Sequence, residues 1–150
     1  MSETSTQSNE SVGPVKILSI SAVTLATRDM KQAVCFYRSL GFELQYGGEA
    51  APFTTFSAGT SYLNLTSGSS EQHGPWTGRI IFHVVDVDAF YAHVLAQNLS
   101  PHCAPMDAQW GERYFHLTDP DGHELSFATP LDARLHRSKA ASLRKARVRV

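Results

Sequence analysis

The sequence is poor in cysteine, with two in 150 residues. Cys35 falls in an apolar helical pattern and Cys103 follows a Ser-Pro turn, so a disulfide framework and a CxxC site are both excluded. Two unpaired thiols of this kind suit a reducing cytoplasm. No apolar run approaches the roughly 18 residues that a membrane span needs. The opening MSETSTQSNES has neither a basic start nor an apolar stretch, which argues against a secretory signal. Nucleotide loops are missing too: GGEAAPFTTFSAG has glycines but no GxGxxG or GxxxxGK spacing. No Ser/His/Asp set sits on a recognisable elbow. The Asn-Leu-Thr at 64–66 is formally a glycosylation acceptor, but its place in a strand of a cytosolic chain makes it incidental. What remains, 42% hydrophobic and 18% charged residues, is ordinary for a globular protein and sufficient for one domain.

The formal net charge of −1 conceals an asymmetry. Residues 129–150 carry seven of the 13 Lys and Arg and one acid, Asp132, while the rest of the chain is strongly acidic. A basic segment can attach to nucleic acid or anionic lipid. Without an aromatic residue to stack on bases, it reads as a solvated extension or a helix against the acidic body, and no nucleic-acid or membrane partner is expected. Residues 1–14, rich in Ser, Thr and Glu, read as a disordered tail.

Between these ends the chain repeats a plan. SAVTLAT (21–27) alternates as a strand, and the following 28–42 has helical spacing at Met30, Val34, Tyr37 and Leu40. Asp29 with Gln32 resembles a capping box, and Gly41 suits a left-handed C-terminal cap. In the second copy, GRIIFHV (78–84) is the strand and 86–99 the helix, begun by Asp86 and closed by Asn98. Asp29 to Asp86 and Gly41 to Asn98 are both steps of 57 residues, so a duplicated unit is the best account. Strand-like runs follow each helix: 42–47, 52–57 and 61–67 in the first copy, a brief run near 101–105, 113–118 and 123–129 in the second. The plan is βαβββ twice, an α+β architecture of modules at about 15–67 and 78–129, with curved mixed sheets around a groove and helices outside.

Alternation assigns the faces. Val23, Leu25, Leu63, Leu65, Ile80, Phe82, Phe115, Leu117, Leu125 and Phe127 should pack against the helices. Ala22, Thr24, Tyr62, Asn64, Arg79, Ile81, His83, Tyr114, His116, Glu124 and Ser126 have the opposite parity and should line the groove. Arg79 can bind a ligand carboxylate, phosphate or sulfate, or be spent on a salt bridge to Glu124. Trp110, Phe53 and Phe56 suit stacking on a planar ligand, or belong to the core.

DPDGHELSF (119–127) concentrates acids and a histidine. Pro120 and Gly122 mark a turn between the last two strands, and the glycine comes too early for an EF-hand loop. His123 at the turn exit should face water. Glu124 and His116 form a candidate general base and partner, or a polar cross-strand pair. His93 and His136 read as surface residues, and His73 and His102 as loop residues without pattern.

Taken together, VTLATRDMKQAVCFYRSLGFEL and WGERYFHLTDPDGHELSF resemble the vicinal oxygen chelate superfamily, which includes glyoxalase I, extradiol dioxygenases and fosfomycin- and bleomycin-resistance proteins. The resemblance covers about 15–130, and Trp110-Gly111 resembles the bleomycin-resistance branch most. Its enzymes hold a divalent metal on the first and last strands of both modules. Carried onto this chain, those positions are Ala22, Asn64, Arg79 and Ser126. None is His, Asp, Glu or Cys, and arginine brings a fixed positive charge.

The resemblance therefore implies a small-molecule binder that sequesters an antibiotic or metabolite, without metal or other cofactor, as a homodimer sharing its groove. The expected ligand contacts are Tyr62, Asn64, Arg79, His83, Trp110, Tyr114, His116 and Ser126. The alternatives are an isomerase, lyase or dioxygenase-like enzyme using Glu124, a histidine or a relocated metal, and a regulatory module tethered by its basic tail.

Overall fold

The computed structural model of the chain describes residues 17–68 and 78–132. The tail at 1–14 and the basic residues from Arg134 onward lie outside the described residues, as do His73 and His136. Ten elements follow in order: β1 (Ala22–Thr27), α1 (Met30–Ser39), β2 (Glu43–Tyr46), β3 (Phe53–Ala58), β4 (Ser61–Ser67), β5 (Arg79–His83), α2 (Val87–Ala96), β6 (Met106–Asp107), β7 (Glu112–Thr118) and β8 (Glu124–Pro130). The short strand expected near 101–105 lies just beyond, at β6.

The duplication is visible in the topology. One sheet has the order β1-β4-β3-β2 and the other β5-β8-β7-β6, each with one parallel pair joining its first and last strands. The helix signals do the work their chemistry allows. The Asp29 carboxylate accepts the Gln32 N–H, and Asp86 accepts the Asp88 and Ala89 N–H groups. Past the helix ends, Gly41 has φ of 100° and Asn98 has φ of 59°, the left-handed turn that Gly and Asn tolerate. No helix among the described residues is long and apolar enough to cross a membrane.

Alternation decides the packing. Leu25, Leu63, Leu65, Phe115, Leu117, Leu125 and Phe127 are buried with Val34 and Tyr37 of α1 and Val87 and Val94 of α2 in one core. Val23, Ile80 and Phe82 pack against it part-buried. Phe56, a candidate groove aromatic, is fully buried in this core, whereas Phe53 stays at the surface. Phe56 has the parity of the helix-facing set because it pairs with Leu63 on β4.

The two modules meet through their helix-bearing sides. Phe42 stands edge-on to Phe82 at 5.2 Å, and the ring of His93 on α2 lies 2.7 Å from the Ser39 carbonyl at the end of α1. The DPDG turn completes the join. Asp119 and Gly122 close it through Gly122 N–H to Asp119 O, with Gly122 at φ 89°. The Asp119 carboxylate accepts the backbone N–H groups of Asp121 and His123, the His123 ring at 2.7 Å and the Tyr37 hydroxyl of α1 at 2.7 Å. Asp121 accepts the Arg28 N–H of the first module.

This corrects the expectation that His123 faces water. His123 is 7% exposed, because Asp119 turns its ring inward as part of a clasp between modules. Burial would raise the Asp119 carboxyl, but the hydrogen bonds from His123 and Tyr37 outweigh it and hold the group below the usual carboxylate range. Burial and the same carboxylate push the Tyr37 hydroxyl well above its ordinary value.

Candidate functional site

The sheet faces opposite the core carry the residues singled out as groove lining. On the first module the centre of the face is uncharged and tied to itself, with Glu43 on the outer strand in the row of Ser57, Tyr62 and Ala22. Asn64 donates to the Thr24 hydroxyl at 3.3 Å and accepts from Thr55 at 2.9 Å, so the strand triplet satisfies its own polar groups. Ala22 lies beside it, opposite Tyr62 in register, and Tyr62 is about half exposed.

On the second module the same face is charged and aromatic. Arg79 and Glu124 stand opposite one another and pair through Nη2 and Oε1 at 2.7 Å. The hydrogen bond from Arg79 is the leading cause of a Glu124 carboxyl held below its usual range. One step along, Ile81 and His116 flank Ser126 from either side. Ser126 is buried, whereas Ile81 is 59% exposed. Further on, the His83 ring donates to Glu112 Oε1 at 2.6 Å, and Trp110 Nε1 donates to Glu112 Oε2 at 3.1 Å. Trp110 stacks on Tyr114 at 5.4 Å, and Tyr114 leans on His116 at 4.9 Å.

His116 is the most unusual member. Its Nδ1 is buried and has no hydrogen-bond partner among the described residues. Desolvation, then the neighbouring Arg79 charge, lower its pKa, so the imidazole is neutral near pH 7. His102, a loop residue without a sequence pattern, stands beside it at 6.4 Å between rings and contacts the Thr118 hydroxyl at 2.6 Å.

The expected His116–Glu124 partnership is not what the register gives. Glu124 stands opposite Thr118 and His116 opposite Ser126, and the carboxylate goes to Arg79. Of the two readings of Arg79, the intramolecular salt bridge is the one formed. Tyr62 and Asn64 belong to the first sheet, and the other expected contacts belong to the second or to the loop before β7. Glu112 was missed. Its signal was its parity with Tyr114 and His116, two and four residues on.

Among the described residues, one cluster has metal-ligand chemistry at short range: Asp119, Asp121 and His123, with candidate atoms within 4.8 Å of one another. Its central carboxylate already accepts four hydrogen bonds and its histidine is turned into that carboxylate, so it is built as a clasp. The four positions carried over for the superfamily metal do not fit one. Ala22 has no ligand atom, Arg79 is cationic, and Asn64 is engaged by two threonines.

The chain's likenesses agree with the duplicated plan. It is similar to a glyoxalase/bleomycin resistance protein/dioxygenase from Nocardioides, at 22% identity and TM-score 0.62, covering 79% of this chain and 87% of that one. A superfamily member from Sphaerobacter thermophilus is 24% identical, at TM-score 0.63 over 75% of this chain and 98% of that one. A lactoylglutathione lyase from Agrobacterium tumefaciens is 17% identical, at TM-score 0.62 over 74% and 92%. At these identities the structures speak for the fold alone. No curated protein is detectably similar to the chain. The family model of the Glyoxalase/Bleomycin resistance protein/Dioxygenase superfamily matches residues 19–127, which takes in both modules from β1 to β8. By that match and by its paired βαβββ modules, the chain belongs to the glyoxalase/bleomycin resistance protein/dioxygenase superfamily.

Proposed function

We propose that the protein binds a small aromatic or amphipathic molecule on its groove face and acts by sequestration, without a metal. The observation that carries this reading is the contrast at the four metal positions. Ala22, Asn64, Arg79 and Ser126 offer no donor set for a catalytic ion, yet the face around them keeps exposed aromatic and charged groups. Trp110 and Tyr114 present flat rings, and Arg79 retains N–H groups beyond the one given to Glu124. Tyr62, Asn64, His83, His116 and Ser126 complete the contacts. Binding lowers the free concentration of the ligand and changes no bond. The branch is that of the bleomycin-resistance proteins, the compartment a reducing cytoplasm suited to the free Cys35 and Cys103, and the assembly a homodimer whose second copy closes the groove.

One observation favours a second reading. A neutral His116 with an unpartnered Nδ1 beside a cationic Arg79 has the makings of a general base next to an anion site, which suits an isomerase or lyase. The experiment that separates the two is equilibrium dialysis of metal-analysed protein against a panel of aromatic antibiotics and metabolites. Sequestration expects saturable binding, unchanged ligand on recovery and no stoichiometric metal. No binding, together with turnover on adding zinc, nickel, manganese or iron, would sink it.

A further inference from the structure

A concavity lies at the seam of the modules, where Tyr62, Ile81, His83 and Glu112 of the groove face meet apolar residues of the core side. It has a volume of about 850 Å³, within the range that holds small molecules. It opens between the β3–β4 turn and β5, and its floor is apolar. Phe42, Phe82 and Phe90 are only part-buried, and Phe127 lies beneath them, stacked with Phe82 at 5.5 Å and tilted on Phe90 at 4.6 Å. Part-buried rings around a concavity hold apolar surface in water that a ligand can cover.

The polar lining comes from two places in the fold: Ser57, Thr60 and Ser61 at the end of β3, the turn and the start of β4, and His83 with Glu112 at the end of β5 and the start of β7. Among the described residues of the lining, Glu112 is the lone acidic group and there is no Lys or Arg. Each Glu112 oxygen accepts one hydrogen bond, from His83 or Trp110, and so keeps acceptor capacity for a ligand. A carboxylate at the mouth of an apolar cavity repels acids and attracts ammonium groups.

We propose that this seam cavity binds amphipathic amines, with the apolar body against the phenylalanines and the ammonium head facing Glu112. The proposal rests on the ligand-binding reading and shares Tyr62 and His83 with it, but Arg79, Trp110, Tyr114 and His116 lie outside the cavity lining, so substitutions there and on the cavity floor let the two fail separately.

The test uses full-length protein and an uncharged fluorophore, N-phenyl-1-naphthylamine, displaced in parallel by dodecylamine, dodecanol and dodecanoate. The expected result is one saturable probe site. Dodecylamine should displace the probe at about tenfold lower concentration than dodecanoate, with dodecanol between them, as expected for one charge-assisted hydrogen bond. Glu112→Gln should erase the advantage of the amine over the alcohol. Thr60→Trp on the exposed turn and Ile80→Trp on the floor should each weaken the probe at least about tenfold by filling the cavity. The proposal is overturned by a missing probe site, by dodecanoate matching the amine, or by probe affinity unchanged in both tryptophan variants. Weakening by Arg79→Ala and His116→Ala in place of the tryptophan variants would assign the probe to the groove and also overturn it.

Discussion

The two modules repeat the same elements in the same order but present different chemistry at the centre of their groove faces. The first centres on Thr24, Thr55 and Asn64, a neutral set closed on itself by two hydrogen bonds, with Glu43, Tyr46 and Tyr62 around it. The second offers Arg79, His83, Glu112, His116 and Glu124 with Trp110 and Tyr114, charged or aromatic groups that reach toward solvent. The repeated fold needs only its helix-facing parity to be apolar, and both modules keep that. The groove parity is free to diverge, so it shows which half carries the chemistry. The comparison also sets polar groups that hold the molecule together apart from those available to a ligand. Asp119, His123 and Tyr37 come from both modules and are buried together; Glu112 and His83 use the same chemistry at the surface.

The largest effect should come from the clasp. Asp119→Ala leaves the Tyr37 hydroxyl and the His123 ring without their buried acceptor, at a cost of about 3 kcal/mol or more. Asn64→Ala on the first module's face should cost about 1 kcal/mol, since it removes hydrogen bonds at a half-exposed site. Urea unfolding of the two variants measures both. Equal losses would mean that the modules are held no more firmly by the clasp than by a single face.

Next is the asymmetry of the faces themselves. Trp110→Ala should weaken a groove ligand found by dialysis about tenfold, because it removes the outermost stacking ring. Thr55→Ala should change that affinity less than about twofold, being spent on Asn64. Titration calorimetry with one ligand compares them. The reverse order would move the binding chemistry to the first module.

Much of this architecture was legible from periodicity and spacing. The 57-residue step linked Asp29 to Asp86 and Gly41 to Asn98, and all four act at helix ends as their chemistry requires. The helix-facing set of each strand does pack into the core, but β8 is buried on both faces, so Ser126 is buried although its parity is that of the groove. What failed was pairing over distance. Tyr37 and Asp119 are 82 residues apart, and helical spacing marks Tyr37 only as core. Asp119 and His123 look like solvent-loving turn residues until the other module supplies a buried hydroxyl. Phe56 stood open between ligand stacking and core, and the parity it shares with Leu63 puts it in the core. His116 and Glu124 sit diagonally across β7 and β8, one same-face step apart and within electrostatic reach, a register that sequence alone does not fix.

Acid should expose the buried groups in two stages. The pKa of His116 is lowered by burial and by Arg79, so the unfolded chain takes up a proton first. Stability is full above the unfolded value of about 6.5 and falls as pH drops through it. Asp119 is also lowered, and its contribution is full above about pH 3.9 and lost as pH falls further through its folded value. Thermal unfolding from pH 8 to 3 should therefore show two declines, with His116→Gln flattening only the upper one. A profile unchanged by that substitution would mean that His116 titrates alike in the folded and unfolded chains.

The smallest effect should come from the most conspicuous ion pair. Arg79 and Glu124 are both partly exposed, and water and salt screen such pairs, so Arg79→Gln should leave the thermal midpoint essentially in place. It should still be visible locally. The hydrogen bond from Arg79 is the leading cause of the lowered Glu124 carboxyl, and its removal should let that carboxyl rise toward the ordinary range. His116 should rise as well, because the Arg79 charge that opposes its protonation has gone. NMR titration of the Glu124 carboxyl and the His116 ring reads both at once. A fixed midpoint with both groups displaced would mean that Arg79 serves the face and not the fold, as a residue awaiting an anionic partner should. A large fall in midpoint would place Arg79 among the structural residues with Asp119, and the second module's face would lose its main claim to a ligand's charge.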